Sequence, residues 1–253
     1  MLTRCRTSLG RDSLAIDRSI RNLLHRAVAV YEVDVDALQA ARPDVVVTQD
    51  LCDVCAVSYD EVCDAARSLG NPEFRIVNLH PTRLDDIFED IRRTALVLER
   101  DAEVLLATLR ARVARVRARS DGWLRHRVLT IEWLDPIMVG GTWMPELVEL
   151  AGGEALVTKP GQHAPTLSDA ELAALEPDVV LIKPCGLDLA RTFEERGRVE
   201  AIARMFPGAR VYAADGNAYF NRPGPRIVDS LEILASAVHP AAFGEDARLV
   251  RVQ

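Results

Sequence analysis

Two stretches of the chain repeat one pattern of apolar and polar positions. "LQAARPDVVVTQDLC" begins at Leu38 and "LAALEPDVVLIKPCG" at Leu172. In each, a short helical pattern stops at a proline (Pro43, Pro177), where the ring forbids continuation. An aspartate follows, then a β-branched run at 45–48 or 179–182, then a loop that carries cysteine. Short continuous apolar runs of this kind predict strands buried on both faces, as in a parallel sheet. Each copy continues alike. A helix is predicted at about 58–69 or 189–205, with Gly197 a candidate break. A Gly/Pro turn leads on to a second strand, "FRIVNL" from Phe74 or "ARVYAA" from Ala209.

Two β-α-β units imply two Rossmann-like lobes with parallel sheets. The second has an additional front end. "RVLTIEWLDP" predicts a strand from Arg127, and "TWMPELVELAGG" a helix with Thr142 as cap, Pro145 in its first turn and Gly152-Gly153 at its end. The first copy is preceded only by a helical pattern, "DSLAIDRSIRNLLHRA", and a short "VYEVD". Between the lobes, 82–119 contains neither Gly nor Pro, and Leu84, Ile87, Ile91, Ala95, Leu98, Ala102, Leu105, Leu109, Val113 and Val116 recur at helical spacing. Thr82 and Asp85 read as its capping pair, and Gly122 follows its end. One helix of this length would span roughly 55 Å, enough to serve as a rigid connector. The expected organisation is an α/β chain with an N-terminal lobe (1–81), a backbone helix (82–120) and a C-terminal lobe (121–253).

Composition narrows the function. The chain is 49% hydrophobic and 27% charged with a net charge of −7, which suits a globular protein and disfavours a nucleic-acid surface. The basic stretch "RARVARVRARS" from Arg110 falls at the predicted C-terminal end of the long helix, where cations complement the helix dipole. No apolar run reaches the roughly eighteen residues of a membrane span. The first residues, "MLTRCRTSLGRDSL", carry no apolar core of a secretory signal. The expectation is a cytoplasmic protein as the sequence stands, and a periplasmic or cell-surface one if the chain starts upstream.

Ligands of parallel α/β sheets sit beyond the carboxyl ends of the strands. The segments placed there are 49–58, "HPTR" from His80, "KPCGLD" from Lys183, "DGNAYFNRPGPR" from Asp215, and "EWLDPIMVGGTWMP" from Glu132. Aromatics are only 5% of the chain, yet Trp133 and Trp143 flank one of these loops, and Tyr219 and Phe220 stand together in another. They read either as core capping the sheet or as a flat apolar ligand surface. Cys52 and Cys55 have C-x-x-C spacing, with Cys63 in the helix beyond. Three readings remain open: thiols packed under a loop, contact with a ligand or metal through Cys52, Cys55 and Cys185, or a redox pair. The histidines are scattered, no nucleophile–base–acid set emerges, and neither dinucleotide nor phosphate-loop fingerprints occur. No enzyme is indicated.

The segments "TQDLCDVCAVS", "EWLDPIMVGGTWMPELVELAGG", "KPCG" and "AYFNRPGPRIVDSLEILA" resemble the helical-backbone substrate-binding proteins of ABC importers, in particular the cobalamin-binding subgroup. The resemblance runs from about Arg11 to Ala237. It implies a corrinoid, tetrapyrrole or metal chelate held between the lobes, with no cofactor required. Carried over by position, Gln49, Asp50, Cys52, Trp133, Trp143, Cys185, Tyr219 and Phe220 would contact the ligand. Glu61 in one lobe and Asp169 or Glu171 in the other would dock on an ABC permease. The resemblance also exposes a missing first strand and helix, which would leave the N-terminal sheet an open edge for a second copy of the chain. The alternatives are a cytosolic metal-binding protein using Cys52, Cys55 and Cys185, and a thiol redox protein.

Overall fold

Both β-branched runs form strands, and each pairs in parallel with the strand that follows it in its own copy of the repeat. The computed structural model describes residues 2–6, 10–25, 30–51, 59–67 and 74–253. The chain divides into two compact units, one formed by residues 1–81 with 89–103 and the other by 82–88 with 104–253.

The first unit contains β1 (Thr3–Cys5), α1 (Ser13–His25), β2 (Tyr31–Val33), α2 (Val35–Ala41), β3 (Val45–Gln49), α3 (Tyr59–Arg67) and β4 (Arg75–Leu79). β1 and β2 pair antiparallel. β3 and β4 pair in parallel from Val45 opposite Arg75 to Gln49 opposite Leu79. Asp34 caps α2 by accepting from Ala37 N, and Arg42 ends that helix in the left-handed conformation one residue before Pro43.

The predicted continuous helix is two. α4 (Leu84–Val97) and α5 (Glu103–Ser120) are separated by five residues. Glu99 adopts φ 55, Glu99 N donates to Leu96 O, and Arg100 N donates to Ala95 O. This pair of bonds is a Schellman closure made without glycine. Asp101 then accepts from Glu103 N and starts α5. At the front of α4 the capping carboxylate is Asp86, not Asp85: its Oδ2 accepts from Thr82 N, Thr82 Oγ1 and Arg83 N.

The second unit continues with β5 (His126–Leu134), β6 (Ile137–Val139), α6 (Met144–Leu150), β7 (Gly153–Ala155), β8 (Thr166–Leu167), α7 (Asp169–Ala173), β9 (Val179–Ile182), α8 (Leu189–Glu194), α9 (Arg196–Met205), β10 (Arg210–Ala214), α10 (Ile227–Val238), α11 (Pro240–Phe243) and β11 (Leu249–Arg251). Its sheet runs β11-β10-β9-β5-β6-β8, with β7 also on β5. β10, β9, β5 and β7 are parallel. The helix expected over 189–205 breaks at Glu195, two residues before Gly197. Thr142 does not cap α6. It sits at φ 52, its hydroxyl donates to Gly141 O, and Trp143 occupies the capping position.

Every residue of β9 is buried, as a strand covered on both faces must be. On one face Leu129, Ile131, Val180, Ile182, Val211 and Ala213 pack with Val199, Ile202 and Phe206 of the α9 region. On the other lies α10, whose residues are almost all buried. Three of the five arginines of the basic stretch pack within the second unit: Arg112 pairs with Asp229 and Glu232, Arg119 lies over the Phe243 ring and Arg110 over Phe88.

Candidate functional site

At the carboxyl edge of the second unit's sheet, three segments are stitched together by buried polar groups. β5 ends in Glu132-Trp133-Leu134, and its register against β6 shifts between Ile131 and Trp133. That places a β-bulge at Glu132, a device that re-aims a side chain at the end of a strand. From the end of β9, Lys183 N donates to Ile131 O and Cys185 N to Glu132 O. Lys183 is fully buried. Its Nζ donates to Glu132 Oε2 at 2.9 Å and to Asn221 Oδ1 at 3.0 Å. A buried cation persists only when paired in this way.

The third segment is the loop after β10. Asn221 Nδ2 donates to Lys183 O and Gly216 O, so one amide ties the loop to β9. Gly216 is required by this approach, because a Cβ there would lie 2.0 Å from Pro184 O. Asp215 Oδ1 accepts from Ala218 N, and Asn217 N donates to Leu187 O. Phe220 is held at φ 60, an unfavourable conformation for a side chain of that size. Two buried bonds fix it: Phe220 N donates to Ser230 Oγ at 2.9 Å, and Trp143 Nε1 donates to Phe220 O at 2.7 Å.

These contacts sort the expected ligand residues. Trp143 is 4% exposed and Phe220 0%, so their rings belong to the core and brace the loop from behind. Of the two readings open for these aromatics, the burial of this pair fits core capping the sheet. Trp133 is half-buried, with Nε1 donating to Asp135 O at 3.1 Å. Tyr219 is half-buried with Arg248 5.5 Å above its ring. Cys185 is half-buried in the same edge. In the first unit, Gln49 ends β3 half-buried and Asp50 follows, exposed. His80 Nδ1 donates to Asp50 O, which links the ends of β3 and β4. Cys52 and Cys55, and with them most of the C-x-x-C loop, lie outside the described residues. Among the described residues no group of three or more His, Cys, Asp or Glu could hold a metal ion. No described helix is long and apolar enough to cross a membrane.

Residues 24–203 match the model of the periplasmic binding protein family. The chain belongs to that family. Solved structures similar to this binding protein include the periplasmic vitamin B12 binding protein BtuF of Vibrio cholerae, at 19% identity and TM-score 0.62 over 83% of this chain and 79% of that one. A periplasmic heme binding protein from Pseudomonas aeruginosa gives 20% identity and TM-score 0.64 over 87% and 81%. The periplasmic heme-binding protein RhuT from Roseiflexus sp. RS-1 gives 23% and 0.64 over 83% and 81%. At these identities the likeness establishes the fold. Comparison with curated proteins gives no match.

The acidic residues expected to dock a permease differ in how free they are. Glu61 of the binding protein accepts from Arg6 at 3.0 Å. Asp169 pairs with Arg198 at 3.3 Å and keeps 63% of its side chain exposed. Glu171 closes the capping box of α7, accepting from Ser168 N and Oγ, and those bonds hold its carboxyl below the usual range. A cavity of about 500 Å³ lies at the opposite, amino end of β5 and β7, lined by residues that include Arg117, Trp123, Arg125 and Glu149.

Sequence reasoning missed Glu132, Lys183 and Asn221. All three stood inside loops placed at the strand ends, but the partnership between them is long-range. The one available signal was a lysine directly after a fully apolar strand.

Proposed function

We propose that this periplasmic binding protein captures cobalamin, or a related corrinoid, tetrapyrrole or metal chelate, for ABC-type import. The observation that carries the reading is the carboxyl edge of the second unit's sheet. Trp133 and Tyr219 offer partly exposed aromatic area there beside Cys185 and the Glu132–Lys183–Asn221 polar network. Flat apolar surface with few fixed polar groups is what a large conjugated ring requires. The vitamin B12 and heme binders of similar fold support the same class of ligand.

In this reading Trp133, Cys185 and Tyr219 contact the ligand, while Trp143 and Phe220 support it from the core. The protein performs no chemistry on its cargo and needs no cofactor. It works outside the cytoplasm, and Glu61 and Asp169 meet the permease. Calorimetric titration of the purified protein with cyanocobalamin and with haemin tests the reading. A dissociation constant of about 1 µM or tighter for one of them is expected. Absence of heat and of Trp fluorescence change with both, at tens of micromolar, contradicts it.

A further inference from the structure

The role of Glu132 rests on the ligand class just proposed and narrows it. Its Oε2 is taken by the buried Lys183. Its Oε1 has no hydrogen-bond partner among the described residues, and 24% of the side chain is exposed. The bulge in β5 puts this carboxylate at the strand's carboxyl edge, next to Trp133. Lys183 itself is enclosed, with 0% exposure, so a ligand at that edge meets the carboxylate rather than the ammonium. Arg222, from the neighbouring loop, gives its guanidinium to Asn217 O and Oδ1.

We propose that Glu132 selects ligands whose periphery carries amide N–H groups and rejects those whose periphery carries carboxylates. An ionised carboxylate only accepts hydrogen bonds. A corrin ring's side-chain amides supply the donors. The propionates of a haem bring like charge against an acceptor that has nothing to receive. Specificity of this kind comes as much from the penalty on the wrong ligand as from the bond to the right one. Lys183 and Asn221 are positioning residues: they hold Oε2 so that Oε1 stays in one place.

The test titrates wild type, E132Q and the double variant E132Q/K183M with cyanocobalamin, its monocarboxylic acids (one peripheral amide hydrolysed) and haemin. E132Q keeps an acceptor for Lys183, and the double variant removes both charges together, so the preference is read in a folded protein. Wild type is expected to bind cyanocobalamin about 10-fold or more tighter than at least one monoacid, and this ratio to fall within about twofold in both variants. Haemin binding is expected to strengthen in the variants. A ratio unchanged from wild type to variants, or no preference in wild type, overturns the role of Glu132 while leaving the corrinoid reading standing. Wild type that binds no corrinoid overturns that reading instead, and unchanged haemin affinity in E132Q would then overturn the exclusion of carboxylates as well.

Discussion

His239 is a titratable side chain whose surroundings oppose its charge. It is buried at the C-terminal end of α10, its Nε2 donates to Gly152 O, and the rings of Trp123 and His126 lie 5.8 and 5.5 Å away. Burial lowers its pKa below the ordinary 6.5, His126 and Arg210 push the same way, and the Gly152 carbonyl opposes them. The folded protein therefore keeps His239 neutral where the unfolded chain takes up a proton. Stability from this source is full above about pH 6.5 and falls as the pH drops below it. Thermal melts between about pH 7.5 and pH 5.5 should show a loss of Tm in wild type that shrinks in H239Q, whose amide still reaches Gly152. Equal losses in both proteins would remove His239 as the cause. Trp143 gives a second residue-scale expectation. Trp143→Phe leaves the carbonyl of Phe220 buried without its donor, and urea unfolding should report a loss of about 1–3 kcal/mol. Trp133→Ala should instead leave stability nearly intact and weaken ligand binding.

At the scale of elements, the connecting helices show where a sequence pattern stops being informative. Apolar residues at helical spacing ran unbroken through 98–102, so nothing in the pattern announced a stop. The stop is a backbone event. Glu99 takes a left-handed conformation that glycine normally supplies, and the apolar stripe restarts in a new register, with Leu106, Leu109, Val116 and Ser120 buried and Leu105 42% exposed. Glu99→Gly should raise stability by about 0.5–1 kcal/mol in urea unfolding, since it removes strain at a positive φ. The cap offers a cleaner discrimination between neighbours. Asp86→Ala should cost about 0.5–2 kcal/mol and Asp85→Ala close to nothing. Burial alone would raise the Asp86 carboxyl, but three hydrogen bonds from Thr82 and Arg83 outweigh it and hold its pKa low. The cap is therefore lost only in acid, as the pH falls below the ordinary carboxylate range.

At the scale of the whole molecule, the repeat was the most legible feature. Both continuous apolar runs form strands at the expected positions, but only β9 is buried on both faces. β3 is half-buried and its Val47 is 46% exposed, so the burial expected of the first run is not met. The short strands β6, β7 and β8 did not, because two or three residues paired at an edge leave no periodicity to read. The candidate site was legible as loops but not as chemistry. Aromatic residues drew attention to Trp143 and Phe220, which packing assigns to the core, while Glu132, Lys183 and Asn221 become a site only when three strand ends converge. That convergence makes one measurement decisive: hydrogen–deuterium exchange of the purified protein with and without cyanocobalamin. Protection is expected at 132–135, 183–187 and 215–222, along the carboxyl edge of the second unit's sheet. No change on adding the ligand, or protection confined to the Arg117–Trp123–Arg125 cavity at the sheet's other end, would contradict it.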